Sequence, residues 1–191
     1  MDAGIELRAA RKKAGLSSTT LARLGHTSIP AISQIEKGTR GITVKRFDSL
    51  LRVARQRLLV VPTVTSTPDE IARFVARLIV ETDLLAAYRV LLSYSDALSA
   101  EEPAVRLALT FTSPQSTGSA LHDAVLAGLV RYWLEKAGVP TPDWLDEPRF
   151  HLTEATAFLE SVYSLHPEPM SVAHAFLVHN VLIDERALGS I

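Results

Sequence analysis

A short stretch between Leu16 and Gly38 carries the side chains with the clearest chemical purpose in this chain. Its second half has small and polar side chains on one helical face and Ile32 and Ile35 on the other. A helix divided in this way can be anchored by its apolar face while the opposite face reaches base edges in a DNA major groove. Gln34 adds a side-chain amide, which can pair with adenine in bidentate fashion.

Serine residues mark the start of two short predicted helices within this stretch. Ser17 or Ser18 can accept hydrogen bonds from the free amides of the first helix, and Ser28 can do so for the second. Gly25 and His26 are placed to form the tight turn between them. The stretch therefore predicts a helix-turn-helix.

The same residues resemble the Cro/C1-type (XRE) family of repressors, over about residues 5–57. The resemblance rests on Leu21-Ala22 and on Ile32-Ser-Gln-Ile-Glu-Lys-Gly38, and it implies a lambda-repressor-like head of four to five helices that binds DNA. The chain departs from the family at the turn, where His26 stands in place of the usual Gly and Gly25 in place of the usual Ala. This departure predicts a re-formed turn and a small shift in the angle of the second, recognition helix.

The resemblance also assigns DNA contacts to individual residues. Base contacts are implied for Ile29, Pro30, Ala31, Ser33 and Gln34. The first three can offer only apolar contact, for example to thymine methyl groups. Phosphate contacts are implied for Ser18, Lys37, Thr39, Arg40, Lys45 and Arg46. The expected partner is double-stranded DNA with a palindromic operator, bound by a homodimer; the alternative is a helical hairpin in an unrelated fold.

The distribution of charge agrees with this assignment. Residues 1–62 hold twelve Lys and Arg against four Asp and Glu, a formal charge of +8, while the remainder carries −9. A basic segment suits a phosphate backbone. The acidic remainder is expected to face away from DNA and suits a basic partner.

The pattern of apolar residues predicts an all-α protein with two domains, a DNA-binding domain over 1–57 and a helical partner-binding or dimerisation domain over 68–191. The first helix of the head is expected over 5–14, with its basic side chains exposed: Arg8, Arg11, Lys12 and Lys13. Thr43 is expected to cap the fourth helix. The residues expected to point inward include Leu21, Leu24, Val44, Phe47, Leu50, Leu51 and Ala54.

The segment 58–67 differs in composition, because it is rich in β-branched residues and interrupted by Pro62. It is predicted to be a linker or a short edge strand, and an exposed apolar strand of this kind could instead pair two subunits. The C-terminal helices are predicted from Thr67 to about Ser93, from Ser99 to Leu109, over 119–137, and near 153–164 and 170–179, with Asn180 as a left-handed cap.

No pattern of residues predicts catalysis, and no cofactor or metal is expected. Phosphate-binding glycine loops and His-Glu-x-x-His are missing from the sequence. His174 and His179 are five residues apart, which is the wrong spacing for joint ligation on a helix, and Glu101 reads as a solvated acid. With no cysteine and no long apolar run, the chain is expected to be cytoplasmic and to have no membrane partner. A few aromatic residues could line a small-molecule cavity: Trp133, Trp144, Phe150, Phe158 and Tyr163.

Two stretches of the C-terminal half are similar to a group of bacterial regulators. They contain Tyr132-Trp-Leu-Glu-Lys-Ala-Gly-Val-Pro140 and the region 175–184. Members of this group resemble antitoxins encoded beside nucleotidyltransferase-type toxins, which implies an autorepressor whose C-terminal domain neutralises a cognate toxin. The alternatives are a regulator that binds a small-molecule effector, and an enzyme or scaffold with an incidental helix-turn-helix.

Overall fold

The structure, a computed structural model, describes residues 3–158 and 172–188. The chain divides into two compact units, one that ends at Pro62 and one that begins at Thr63. Within the described residues both units are mainly helical, as expected of an all-α protein. No described helix is long and apolar enough to cross a membrane.

Four helices form the N-terminal unit: α1 (Ala3–Lys13), α2 (Ser18–Leu24), α3 (Ile29–Glu36) and α4 (Val44–Val53). They enclose a core whose fully buried side chains include Leu7, Leu21, Ile32 and Leu50. These positions recur at helical spacing, so each helix buries one face and leaves the other in solvent.

Two residues predicted to point into this core do not. Leu24 is 44% exposed and Val44 is 71% exposed. Both lie at a helix terminus, Leu24 as the last residue of α2 and Val44 as the first of α4. The apolar face of α4 begins one turn later, at Phe47, so Val44 lies beyond the edge of the core.

The C-terminal unit is built around one central helix. Its elements are α5 (Pro68–Val80), α6 (Leu84–Ala100), α7 (Pro103–Thr110), α8 (Ala120–Lys136) and α9 (His174–Leu177), with short 3-10 helices over Asp143–Asp146, Pro148–Phe150 and Glu185–Leu188. Helix α8 is buried at every position from His122 to Tyr132 and contacts α5, α6, α7 and α9. Ser119 caps α8 by accepting a hydrogen bond from the backbone N–H of His122.

A short parallel strand pair, which was not predicted, also lies in this unit. Strand β1 (Thr156–Ala157) pairs with β2 (Val181–Leu182), with Thr156 opposite Val181. The helix predicted near 153–164 is therefore wrong over β1, and its remainder from residue 159 lies outside the described residues. Of the helix predicted over 170–179, the described part holds only α9. Asn180 has the predicted left-handed conformation, with φ 56°.

The long helix predicted from Thr67 to Ser93 is two helices. Its start is confirmed, because Thr67 and Glu70 form a reciprocal capping box. The helix stops at Val80, where Thr82 adopts φ 59° and Asp83 caps α6 by accepting from the N–H of Ala86. The apolar stripe runs on across the break, which is why periodicity alone did not reveal it.

Ser99 and Glu101 also differ from their predicted roles. Helix α6 continues to Ala100, so Ser99 caps nothing and its Oγ donates to the carbonyl of Asp96. Glu101 is buried, and its Oε2 accepts from Thr63 Oγ1 at 2.7 Å and from the N–H of Val64 at 2.8 Å. Glu101 therefore fixes the first residues of the C-terminal unit. No helix or strand forms between residues 58 and 67.

The aromatic residues proposed to line a cavity are part of the packing of this unit. Trp144, Phe150 and Phe158 are buried in its core, and Trp144 Nε1 donates to the carbonyl of Thr110. Trp133 is half-buried and its Nε1 donates to Ser95 Oγ. Tyr163 lies outside the described residues.

His179 is fully buried in the C-terminal unit. Its Nδ1 lies 2.8 Å from the carbonyl oxygen of Phe150, and its Nε2 accepts a hydrogen bond from Arg131 Nε at 3.1 Å. Burial lowers the pKa of His179 to about 4, and the nearby Arg131 charge acts in the same direction. The imidazole is therefore neutral at pH 7, with its proton on Nδ1.

Candidate nucleic-acid interface

Both helices of the motif begin at a serine cap. Ser17 Oγ accepts a hydrogen bond from the backbone N–H of Thr20 at 3.0 Å, and Ser28 Oγ accepts one from the N–H of Ala31 at 3.2 Å. Pro30 occupies the first turn of α3, where its missing N–H costs no intrahelical bond. The predicted caps of α2 and α3 are thus confirmed, with Ser17 rather than Ser18 as the first.

The turn between α2 and α3 is closed by residues that depart from the family pattern. His26 takes the left-handed conformation, with φ 49°, that glycine adopts most readily. Gly25 lies so close to the core that an added Cβ would stand 2.5 Å from Leu50 Cδ2 and 2.8 Å from the carbonyl oxygen of Leu21. Only glycine fits there without movement of these neighbours.

A side chain from α4 holds this turn in place. Arg46 Nη2 donates to the carbonyl oxygen of Gly25 at 2.6 Å and to that of His26 at 3.0 Å. These carbonyls follow the end of α2, where a cation is also favoured by the helix dipole. Arg46, predicted to contact phosphate, therefore has a structural part in positioning α3.

Helix α3 exposes most of the predicted base-contacting residues on one surface. Ile29 is 46% exposed, Pro30 and Gln34 are exposed, and Ser33 is half-buried. Ala31 is only 5% exposed. Its methyl group therefore offers less surface to a base edge than the other four side chains do, and all five assignments stay predictions.

Four of the six residues predicted to contact phosphate are exposed. Lys37, Arg40 and Lys45 are all exposed, and Thr39 is exposed with its Oγ1 donating to the carbonyl of Gln34 at 3.1 Å. Ser18 is half-buried at the start of α2. Exposed cations of this kind can neutralise phosphates, and all six phosphate contacts stay predictions.

An ion pair that was not predicted fixes the other end of α3. Arg11 Nε and Nη2 donate to the two carboxylate oxygens of Glu36 at 2.7 and 2.9 Å, and Arg11 Nη1 donates to the carbonyl of Leu16 at 3.0 Å. The side chains are only 13% and 9% exposed. The hydrogen bonds to Glu36 raise the pKa of Arg11.

The predicted exposure of Arg11 is wrong, because its side chain is only 13% exposed. The available signal was its position four residues after Leu7, which places both side chains on the same face of α1. Because that face is buried, Arg11 needs an acidic partner, and Glu36 supplies it.

The comparison with known protein families agrees with this geometry. Residues 7–55 match the family model described as "Helix-turn-helix". The match covers the four helices of the N-terminal unit except for the first residues of α1. Searches of curated proteins and of solved structures found no match to the chain.

Proposed function

We propose that this transcription regulator is a sequence-specific repressor that binds a palindromic operator as a homodimer. The XRE-type, DNA-binding helix-turn-helix of residues 7–55 supports this proposal. The observation that carries the proposal is the exposed face of α3. This face exposes Ile29, Pro30 and Gln34 to solvent. Hydrogen bonds restrain both ends of α3, from Arg46 to the turn before it and from Arg11 to the Glu36 carboxylate. A rigidly positioned helix of this kind can select base pairs rather than only follow the phosphate backbone.

The small number of exposed cations in one head supports the proposed homodimer. One head offers few exposed cations beside α3, and specific affinity at physiological salt requires more phosphate contacts than these provide. A two-fold dimer doubles them and places two recognition helices in successive major grooves, about 10 base pairs apart.

Selection of bound sequences from a random duplex library, with the full chain at a stated salt concentration, tests this proposal. We expect an inverted repeat with half-site centres about one helical turn apart. Enrichment of no sequence would contradict specific binding, and a lone half-site would contradict the homodimer. The Lys37→Glu, Arg40→Glu double variant should enrich nothing. Its matched control, with the same change of charge at two exposed cations of α1, is Arg8→Glu, Lys12→Glu, which should retain the selected sequence.

We further propose that the C-terminal unit binds a basic protein, the cognate toxin implied by the resemblance to antitoxins. Two observations favour a protein partner over a small-molecule effector. The remainder of the chain beyond residue 62 carries a charge of −9, and the turn between α5 and α6 exposes three large apolar side chains, Val80, Leu84 and Leu85. An apolar patch within an acidic unit suits a partner with basic residues around an apolar centre.

Co-expression with the product of a neighbouring gene tests the antitoxin proposal. The neighbour alone should arrest growth, and the full chain should restore it. A Leu84→Asp, Leu85→Asp variant should restore growth less well, while Val44→Asp, at an exposed apolar position of the N-terminal unit, should restore it fully. A harmless neighbour, or rescue that both variants support equally, would contradict the proposal.

A further inference from the structure

The first turn of α3 presents an apolar surface with few groups able to form hydrogen bonds. Ile29 and Pro30 are exposed and have no polar side-chain atoms. Pro30 also has no backbone N–H. The N–H of Ala31 donates to Ser28 Oγ and that of Ile32 to the carbonyl of Ser28, at 3.2 Å each.

The major groove offers one apolar group to such a surface. Guanine, adenine and unmodified cytosine present polar atoms there, whereas thymine presents its C5-methyl group beside O4. An apolar side chain laid over an unpaired polar edge removes water from it without replacing the hydrogen bond. Laid over a methyl group, it buries apolar area on both sides.

We propose that Ile29 and Pro30 read the C5-methyl group of a pyrimidine, so that the protein prefers thymine over uracil and 5-methylcytosine over cytosine at that position. Binding to this operator then depends on the methylation state of the DNA wherever the position is cytosine. The inference rests on the proposed DNA-binding function and names the chemical group that the first turn of α3 recognises.

The spacing of residues along α3 relates the base that carries the methyl group to the base that Gln34 is expected to contact. Gln34 follows Ile29 by five residues and Pro30 by four, which corresponds to about 6 to 7.5 Å along the helix axis. Base pairs are stacked about 3.4 Å apart. The methyl group is therefore expected within about two base pairs of the adenine that Gln34 contacts, because a helix inclined to the DNA axis spans fewer steps than its own length.

The test uses the full chain and the operator obtained by selection, with single thymines replaced by deoxyuridine. Removing one methyl group should weaken binding about three- to ten-fold at one position in each half-site. A C:G pair placed there should bind more weakly than the same pair carrying 5-methylcytosine, by a similar factor. Equal affinity for thymine and uracil at every position would overturn the inference while leaving the proposed function intact. Failure to obtain any operator would instead overturn the proposed function.

A variant pair connects the effect to the side chain. Ile29→Ala should abolish the difference between thymine and uracil at that position. Leu24→Ala removes an apolar side chain of similar exposure, 44% against 46%, from α2, and should leave the difference unchanged. Loss of discrimination in both variants would show that Ile29 does not read the methyl group.

Discussion

The guanidinium of Arg11 binds both carboxylate oxygens of Glu36, across 25 residues of sequence, and so connects the last residue of α3 to α1. A third hydrogen bond, from Arg11 Nη1 to the carbonyl of Leu16, links the same group to the segment before α2. The Arg11 side chain therefore connects α1, the segment before α2 and the end of α3, and so restricts the angle of α3 relative to α1.

Removal of the Glu36 charge is expected to destabilise the N-terminal unit. Glu36→Gln leaves a mostly buried guanidinium without its counter-charge, which should lower the free energy of unfolding by about 2–3 kcal/mol. Urea denaturation followed by circular dichroism measures this. Asp48→Asn, which breaks the more exposed Arg52–Asp48 pair, is the control and should have a much smaller effect. Equal losses in the two variants would contradict a structural role for the Arg11–Glu36 pair.

Gly25→Ala restores the residue usual in the family but is expected to destabilise this chain. Its Cβ would meet Leu50 Cδ2 at 2.5 Å and the Leu21 carbonyl at 2.8 Å, and such overpacking costs about 1–3 kcal/mol. Thermal unfolding compares it with Gly41→Ala, where an added Cβ meets nothing within 4 Å. A Gly25→Ala variant as stable as the wild type would contradict the close packing of Gly25 against Leu50 and Leu21.

His26→Gly is expected to stabilise the N-terminal unit. The left-handed backbone at His26, with φ 49°, is strained for a residue with a Cβ, and glycine relieves that strain. The greater freedom of glycine in the unfolded chain offsets part of the gain, which leaves about 0.5–1 kcal/mol. His26→Ala keeps the Cβ and should show no gain in the same denaturation experiment. A loss of stability in His26→Gly would mean that the imidazole makes a contribution larger than the strain.

Acid is expected to weaken the C-terminal unit through His179. Its pKa of about 4 in the folded protein lies below the ordinary value near 6.5. The unfolded state therefore binds more protons between these pH values, and this contribution to stability is lost as the pH falls from about 6.5 to 4. Protonation would place an N–H of His179 against Arg131, near His151 and Asp146.

Comparison of wild type with His179→Gln isolates this effect from the titration of carboxylates. The variant should be less stable at pH 7, and the difference in free energy of unfolding should shrink as the pH is lowered to 4. The exposed His174→Gln variant should follow the wild type throughout. A difference that stays constant with pH would exclude His179 as the responsible group.

Local signals and long-range contacts differed in how well they could be predicted. The caps at Ser28, Thr43 and Thr67 depend on hydrogen bonds over three residues, and each was evident from its own neighbourhood. The Arg11–Glu36 pair required knowledge of which helices meet. The break at Thr82 was hidden because the apolar stripe of α5 continues into α6, although Asp83 offered a cap.

Within the candidate interface, the position of α3 could be predicted from the sequence but the exposure of its residues could not. Ala31 and Pro30 are adjacent in a short helix, yet only Pro30 is exposed. The hydrogen bonds from Arg46 to the carbonyls of Gly25 and His26 likewise depend on the packing of α4 against the turn, so they could not be predicted from the sequence.

If α3 selects bases while exposed cations hold phosphates, Gln34→Ala and Arg40→Ala should change DNA binding in different ways. Binding to the selected operator and to its single-base-pair variants is measured over a range of salt concentrations. Gln34→Ala should lose about 1–3 kcal/mol at one base-pair position in each half-site and leave the salt dependence unchanged. Arg40→Ala should weaken binding to all sequences and reduce the salt slope by about one for each head. Equal losses on all sequences in both variants would contradict base recognition by Gln34 and, with it, the proposal that α3 is the recognition helix.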